Sequence, residues 1–188
     1  MNKRLFIASL AAVAVLAAGC TTSGPGTGDP AARRKAIDAA VDSSLSTLFQ
    51  QVPDSRDLVG RAAGVLVFPN VMEAGFVVGA SRGQGALRVG GKTVSYHATT
   101  SGSFGLQAGA QSTAVFLLFM TQDALKRFQN SRGWTVGADA SVTLITVGAT
   151  TQMTTATAQQ PVIGYVLSNR GLMAGVTMDG TRITTLNL

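Results

Sequence analysis

The chain has 188 residues, carries 15 Lys and Arg against 9 Asp and Glu for a formal charge of +6, and is only 13% charged overall. So low a charge density fits a packed globule rather than a disordered chain, and one domain is the expectation for this length. A single cysteine excludes an intrachain disulfide and a thiolate metal cluster.

The first segment reads as a processing signal. Lys3 and Arg4 precede an apolar stretch from Leu5 to Ala18, and small residues lead into Cys20. The apolar stretch is shorter than the ~20 residues that span a bilayer. Leu16-Ala17-Ala18-Gly19-Cys20 resembles a lipobox, so residues 1–19 are expected to be a signal peptide and Cys20 the lipid attachment site. A plain secretory cut at a nearby small residue is the alternative. Thr21 is not the Asp that usually marks inner-membrane retention, which points to the outer membrane, facing the periplasm. Removing Lys3 and Arg4 leaves the charge positive.

Residues 20–28, rich in Thr, Ser, Gly and Pro, have nothing to bury and read as a flexible tether. The domain is expected over 29–188. Asp29 as N-cap and Pro30 at the first helical position start a helix in which Ile37, Val41, Leu45, Leu48 and Val52 recur at helical spacing up to Pro53. Its first turn carries Arg33, Arg34 and Lys35, which the helix dipole disfavours. These residues form either a solvated turn or a contact with anionic lipid. Shorter helices are expected at Asp54–Ala63 and at Thr121–Arg132, the latter stopped by Gly133.

The remainder reads as strand. Four segments repeat one pattern: Gly75 to Gly79, Gly105 to Gly109, Gly133 to Gly137 and Gly171 to Gly175. On a strand this spacing puts both glycines on one face, as at the corner of a strongly curved sheet. Leu87 to Val94, with Gly90-Gly91 at its centre, is a hairpin signal. The expected fold is α+β, a glycine-rich, barrel-like curved antiparallel sheet with an N-terminal amphipathic helix and one or two further packed helices.

Catalytic constellations are weak. Gly79-Ala80-Ser81-Arg82-Gly83 matches a nucleophile elbow, but no acidic residue lies between Ser81 and His97, so the Ser, acid, His order fails. Gly91-Lys92-Thr93 imitates a phosphate loop, yet Ala86 stands where its first glycine belongs. Asp139 is either a buried hydrogen-bonding carboxylate or a functional acid. The acidic residues are scattered, so no metal, no cofactor and no enzyme activity are expected. Arg82, Arg88 and Lys92 flank the hairpin, Lys126, Arg127 and Arg132 share a helix, and Arg170 and Arg182 fall near the last strands. Such an excess favours anionic partners. Nucleic acid is disfavoured because no stacking aromatics interleave with the charges.

Over about residues 34 to 186 the chain resembles the SYLF lipid-binding domain family. The resemblance rests on five segments in order: Ala63-Gly-Val-Leu-Val-Phe-Pro69, Ala74-Gly-Phe-Val-Val-Gly79, Gly102-Ser-Phe-Gly-Leu-Gln-Ala-Gly109-Ala-Gln111, Gly137-Ala-Asp-Ala-Ser-Val142, and Ser168-Asn-Arg-Gly-Leu-Met-Ala-Gly175-Val-Thr-Met-Asp-Gly180. Of the family's tyrosine-serine-arginine stretch only Ser168 and Arg170 carry over, and Tyr96 lies near the place of its usual tryptophan. The resemblance implies a phospholipid-binding domain, with phosphoinositides and sometimes actin filaments as ligands of eukaryotic members. The expected partner is therefore a phospholipid membrane, reached by the anchor and by head-group contacts from Arg33, Arg34, Lys35, Arg82, Arg88, Lys92 and Arg170. An envelope protein docked by the same domain is the alternative.

Overall fold

The computed structural model describes residues 29–75, 78–104, 109–145, 159–168, 171–172 and 178–188. The signal segment, Cys20, the tether and Arg170 lie outside the described residues. Three helices are described: α1 (Pro30–Gln51), α2 (Ser55–Arg61) and α3 (Gln122–Asn130). The strands are β1 (Gly64–Gly75), β2 (Val78–Val89), β3 (Lys92–Phe104), β4 (Gly109–Phe119), β5 (Trp134–Thr135), β6 (Thr143–Ile145), β7 (Val162–Ser168), β8 (Gly171–Leu172) and β9 (Arg182–Leu186). Ala31–Leu188 is one compact unit.

The strands form one curled sheet, a half-barrel in the order β5-β9-β3-β2-β1-β4-β7-β6, with β8 paired to β7. The α+β architecture is as expected, with one local exception: β6 runs parallel to β7. Both faces of the sheet are covered, which explains why Val65–Phe68, Val115–Phe119 and Val162–Leu167 are continuous apolar runs instead of alternating ones. On one face Val65, Val67, Phe116, Leu118, Ile163 and Tyr165 pack under Ile37, Val41, Leu48 and Val52 of the α1 segment and Leu58 of α2. On the other, Leu66, Phe68, Leu117 and Phe119 meet Leu125 and Phe128 of α3 and Trp134. Each such large side chain, fully buried, contributes about 1.5–3 kcal/mol.

Pro69 interrupts the ladder at the centre of the sheet. It has no N–H to donate, and the register of β1 slips by one residue against both β2 and β4. The bulge resets the alternation, so Val71 continues the face of Phe68. It also brings the backbones of β1 and β2 close together. A Cβ on Gly85 would lie 1.9 Å from the Val67 carbonyl oxygen and 2.8 Å from the Phe68 ring.

The hairpin is where the sequence places it, with Gly90 at φ 56° and Gly91 at φ 78°, both left-handed as a two-residue primed turn requires. The glycine repeat is a correction. Gly75 ends β1 and pairs directly with Gly79 near the start of β2, so that pair brackets a chain reversal rather than sharing one strand face. Gly133 precedes β5, and Gly137, at φ 88°, belongs to a turn in which its N–H donates to Ala140. Gly105 and Gly175 lie outside the described residues. Close strand crossing is instead served by Gly83 and Gly85, which are not part of the repeat. The α3 helix also ends earlier than expected. Ser131 turns extended (φ −81°, ψ 136°) and its hydroxyl donates to the Phe128 carbonyl at 2.8 Å, which caps the helix before Gly133.

Candidate membrane-facing surface

The basic residues singled out from the sequence separate into three places. In the first turn of α1, Arg33 Nη2 donates to Gln84 Oε1 at 3.3 Å, which fixes the helix start over the middle of β2. Arg34 donates to the main-chain oxygen of Leu188, and Lys35 is exposed. Arg82 lies two residues from Gln84 on the same strand, hence on the same face and about 7 Å away. Arg82 is exposed. Arg33 and Arg82 therefore share one region.

Arg88 is placed differently. Its side chain is 15% exposed, and its guanidinium pairs with Asp42 Oδ1 at 2.8 Å and Asp38 Oδ1 at 3.5 Å and also donates to the Asp38 carbonyl at 3.4 Å. Asp38 accepts in addition from Thr93 Oγ1 at 2.6 Å and from the Tyr96 hydroxyl at 2.8 Å. Burial, and then the bond to Asp38, push the Tyr96 phenol above its ordinary pKa. This cluster clips α1 to the β2–β3 hairpin, and Arg88 is engaged inside the domain. Lys92 is exposed beyond it at the hairpin turn. Seven residues of β2 separate Arg82 from Val89, the residue paired with Lys92, a run of about 24 Å. The hairpin does not bring Arg82 and Lys92 together.

What joins Arg82 is a residue the sequence placed only near the last strands. Cross-strand pairing sets Met72 beside Arg82, Arg82 beside Thr100, and Thr100 beside Arg182. Directly paired residues point to one face, and this is the face that carries α1, because Gln84 and Tyr96 reach that helix from the same side. Met72, Arg82, Thr100 and Arg182 are all exposed. The link runs through long-range register, which has no local sequence signal.

The residues weighed for catalysis sit apart from one another. Ser81 lies within β2, not at a strand-to-helix turn, and its Oγ is 2.6 Å from Ser101 Oγ on β3. His97 pairs opposite Gly85, four positions along β2 from Ser81. It is buried, its Nε2 lies 2.8 Å from Ser95 Oγ, and burial lowers its pKa to about 4 against an opposing hydrogen bond to the Thr184 backbone. Asp139 is exposed and its Oδ2 accepts from the Thr135 N–H at 2.6 Å, a turn-closing role. Among the described residues no group of three or more His, Cys, Asp or Glu is disposed to hold a metal ion, and no helix is long and apolar enough to cross a membrane.

Fold and surface together define a class: a small α+β domain in which a helix clipped across a curled sheet leaves a cationic strip uncovered beyond its N-terminal turn. Residues 100–187 match the model of the Ysc84 family, described as Las17-binding protein actin regulator, in agreement with the SYLF resemblance of the sequence. No curated protein matches the chain.

Proposed function

We propose that the protein binds anionic phospholipid surfaces, without turnover, as a lipoprotein of the cell envelope held at the outer membrane through Cys20. The observation that carries this reading is the contact of Arg33 with Gln84, which brings the first turn of α1, with Arg33, Arg34 and Lys35, to the strand of Arg82. The match of residues 100–187 to the Ysc84 model, together with the SYLF resemblance, supports lipid as the ligand. Arg88 serves as a structural cation, while Lys92 and Arg170 add to the long-range attraction. Each basic side chain near an anionic surface contributes about 1 kcal/mol, so four supply roughly 4 kcal/mol. The residues between Cys20 and Asp29 span at most about 30 Å, which keeps the domain at a high effective concentration beside the bilayer.

The test is co-sedimentation of the processed chain, beginning at position 20 and carrying Cys20→Ser so that no acyl chain contributes. Phosphatidylcholine vesicles are compared with vesicles containing phosphatidylglycerol at low and moderate salt. Binding confined to the anionic vesicles and weakened by salt is expected. Absence of binding to either would overturn the reading and favour docking of an envelope protein.

A further inference from the structure

We propose that the cross-strand row Met72, Arg82, Thr100 and Arg182 is the part of this surface that enters the head-group layer, with its two arginines on two neighbouring lipid phosphates and Met72 inserted between lipids. The inference rests on the lipid reading above and adds residues and an orientation to it. Adjacent strands lie about 4.8 Å apart, so Arg82 and Arg182, separated by the strand of Thr100, are about 10 Å apart at the backbone. Arg182 turns its guanidinium away from the strand of Arg82. A Cβ on Gly133 would lie 2.8 Å from Arg182 Nη2, so the Arg182 guanidinium rests in the space that this glycine leaves at the β5 edge, on the side away from Arg82. Arginines about 10 Å apart at the backbone, one of them turned outward, suit two separate phosphates, each taken in the bidentate geometry that arginine provides, rather than one chelated anion.

The rest of the row fits a bilayer. Met72 is 51% exposed, one of two large apolar side chains so placed among the described residues. It stands on the row beside Arg82. The next positions outward on the same face include Ala80 and Gly102, both exposed and small, with open space where a Gly102 side chain would stand. Neither Ala80 nor Gly102 holds the arginines and Met72 off a flat partner. Glu73 follows Met72 in an extended strand and therefore belongs to the opposite face, so the row contains no carboxylate. Cations flanking an exposed apolar side chain on a small-residue surface are complementary to an anionic interface.

Met72→Trp tests the insertion, because Trp134 is buried and contributes a constant background. Its emission should shift to the blue with phosphatidylglycerol vesicles, and stay unchanged with inorganic phosphate or soluble glycerophosphate. Arg82→Gln combined with Arg182→Gln should lower vesicle partition about thirtyfold, and Thr100→Glu, at an exposed position, should lower it as well. Arg127→Gln on α3 should leave it unchanged. Thermal melts confirm that each variant is folded. If the unsubstituted chain binds vesicles while Met72→Trp shows no shift and the row variants bind normally, the row is excluded and the broader lipid reading survives. If the unsubstituted chain does not bind, both fall. A response to soluble phosphate alone would replace the membrane with a free-anion site and overturn the inference.

Discussion

Tyr96 donates its phenolic hydrogen to Asp38 Oδ2 at 2.8 Å, a bond that ties α1 to β3 across 58 residues of sequence. The same carboxylate accepts from Thr93 and faces Arg88, so one side chain of α1 satisfies three groups of the hairpin. The polar clip, at Asp38 and Asp42, sits at mid-helix. Toward the C-terminal end the segment is held by apolar packing of Leu48 and Val52.

Asp38→Ala should therefore loosen the first half of α1 before the second. It leaves the Tyr96 hydroxyl and Thr93 hydroxyl without their acceptor and removes one of two carboxylates from Arg88. Hydrogen bonds to charged groups contribute about 1.5–3 kcal/mol; with solvent partly compensating, the expected loss is about 2 kcal/mol, or 4–8 °C in Tm. Amide exchange should rise at Ile37–Val41 with little change at Leu48. Uniform exchange along the helix would mean that the clip is not a separate fastening.

His97 sets an acid sensitivity. It is 6% exposed and its ring lies 4.9 Å from that of Phe128. Its folded pKa, near 4, lies below the ordinary value of 6.5 because burial disfavours the imidazolium. The folded state therefore binds fewer protons than the unfolded chain between these values. The stability that His97 contributes is complete above pH 6.5 and is lost as the pH falls from 6.5 to 4, by roughly 3 kcal/mol. Urea titrations across that window should show the fall in the native chain. His97→Gln should be flatter by the same amount, and parallel curves would place the acid sensitivity elsewhere.

Local signals made parts of this fold legible and long-range ones hid the rest. The spacing of Ile37, Val41 and Leu48 gives α1 because a helix repeats within a few residues, and Gly90-Gly91 gives the hairpin because a primed turn demands positive φ at both positions. The Gly75 to Gly79 spacing fits a single strand face and a reversal equally well, and only the pairing partner decides between them. The site shows the same division. Arg33, Arg34 and Lys35 stand out as a run, whereas Arg182 reaches Arg82 only through the registers of β9 on β3 and β3 on β2. Arg88 reads as a surface cation until the fold brings Asp38 and Asp42 against it from about 50 residues away.

Two glycines should respond very differently to one methyl group. Gly85→Ala forces a Cβ into the Val67 carbonyl at 1.9 Å, a backbone contact that no rotamer change relieves. Separating β1 from β2 beside the Pro69 bulge should cost about 3 kcal/mol or more. Gly102→Ala meets open space and should change stability by under about 0.5 kcal/mol. Chemical denaturation of the pair checks this; equal stability would mean that β1 and β2 are not closely apposed at the bulge.

Arg88 and Arg82 provide the sharpest separation of stability from binding, since they stand six residues apart on one strand. Arg88→Gln removes the cation facing Asp38 and Asp42, of which Asp38 is mostly covered, so the domain should lose stability while its exposed cations stay in place. Its folded fraction should still bind anionic vesicles nearly as the native chain does. Arg82→Gln removes an exposed cation for which no ion pair or hydrogen bond is described, so the melting curve should barely move. Vesicle partition should nevertheless fall about fivefold, the loss expected for one basic contact of roughly 1 kcal/mol, and the dependence on salt should become shallower. Measuring both variants in the same melts and sedimentation series checks the assignment. If Arg88→Gln weakened binding at full folding while Arg82→Gln did not, the head-group surface would have to move from the centre of β2 to the hairpin end.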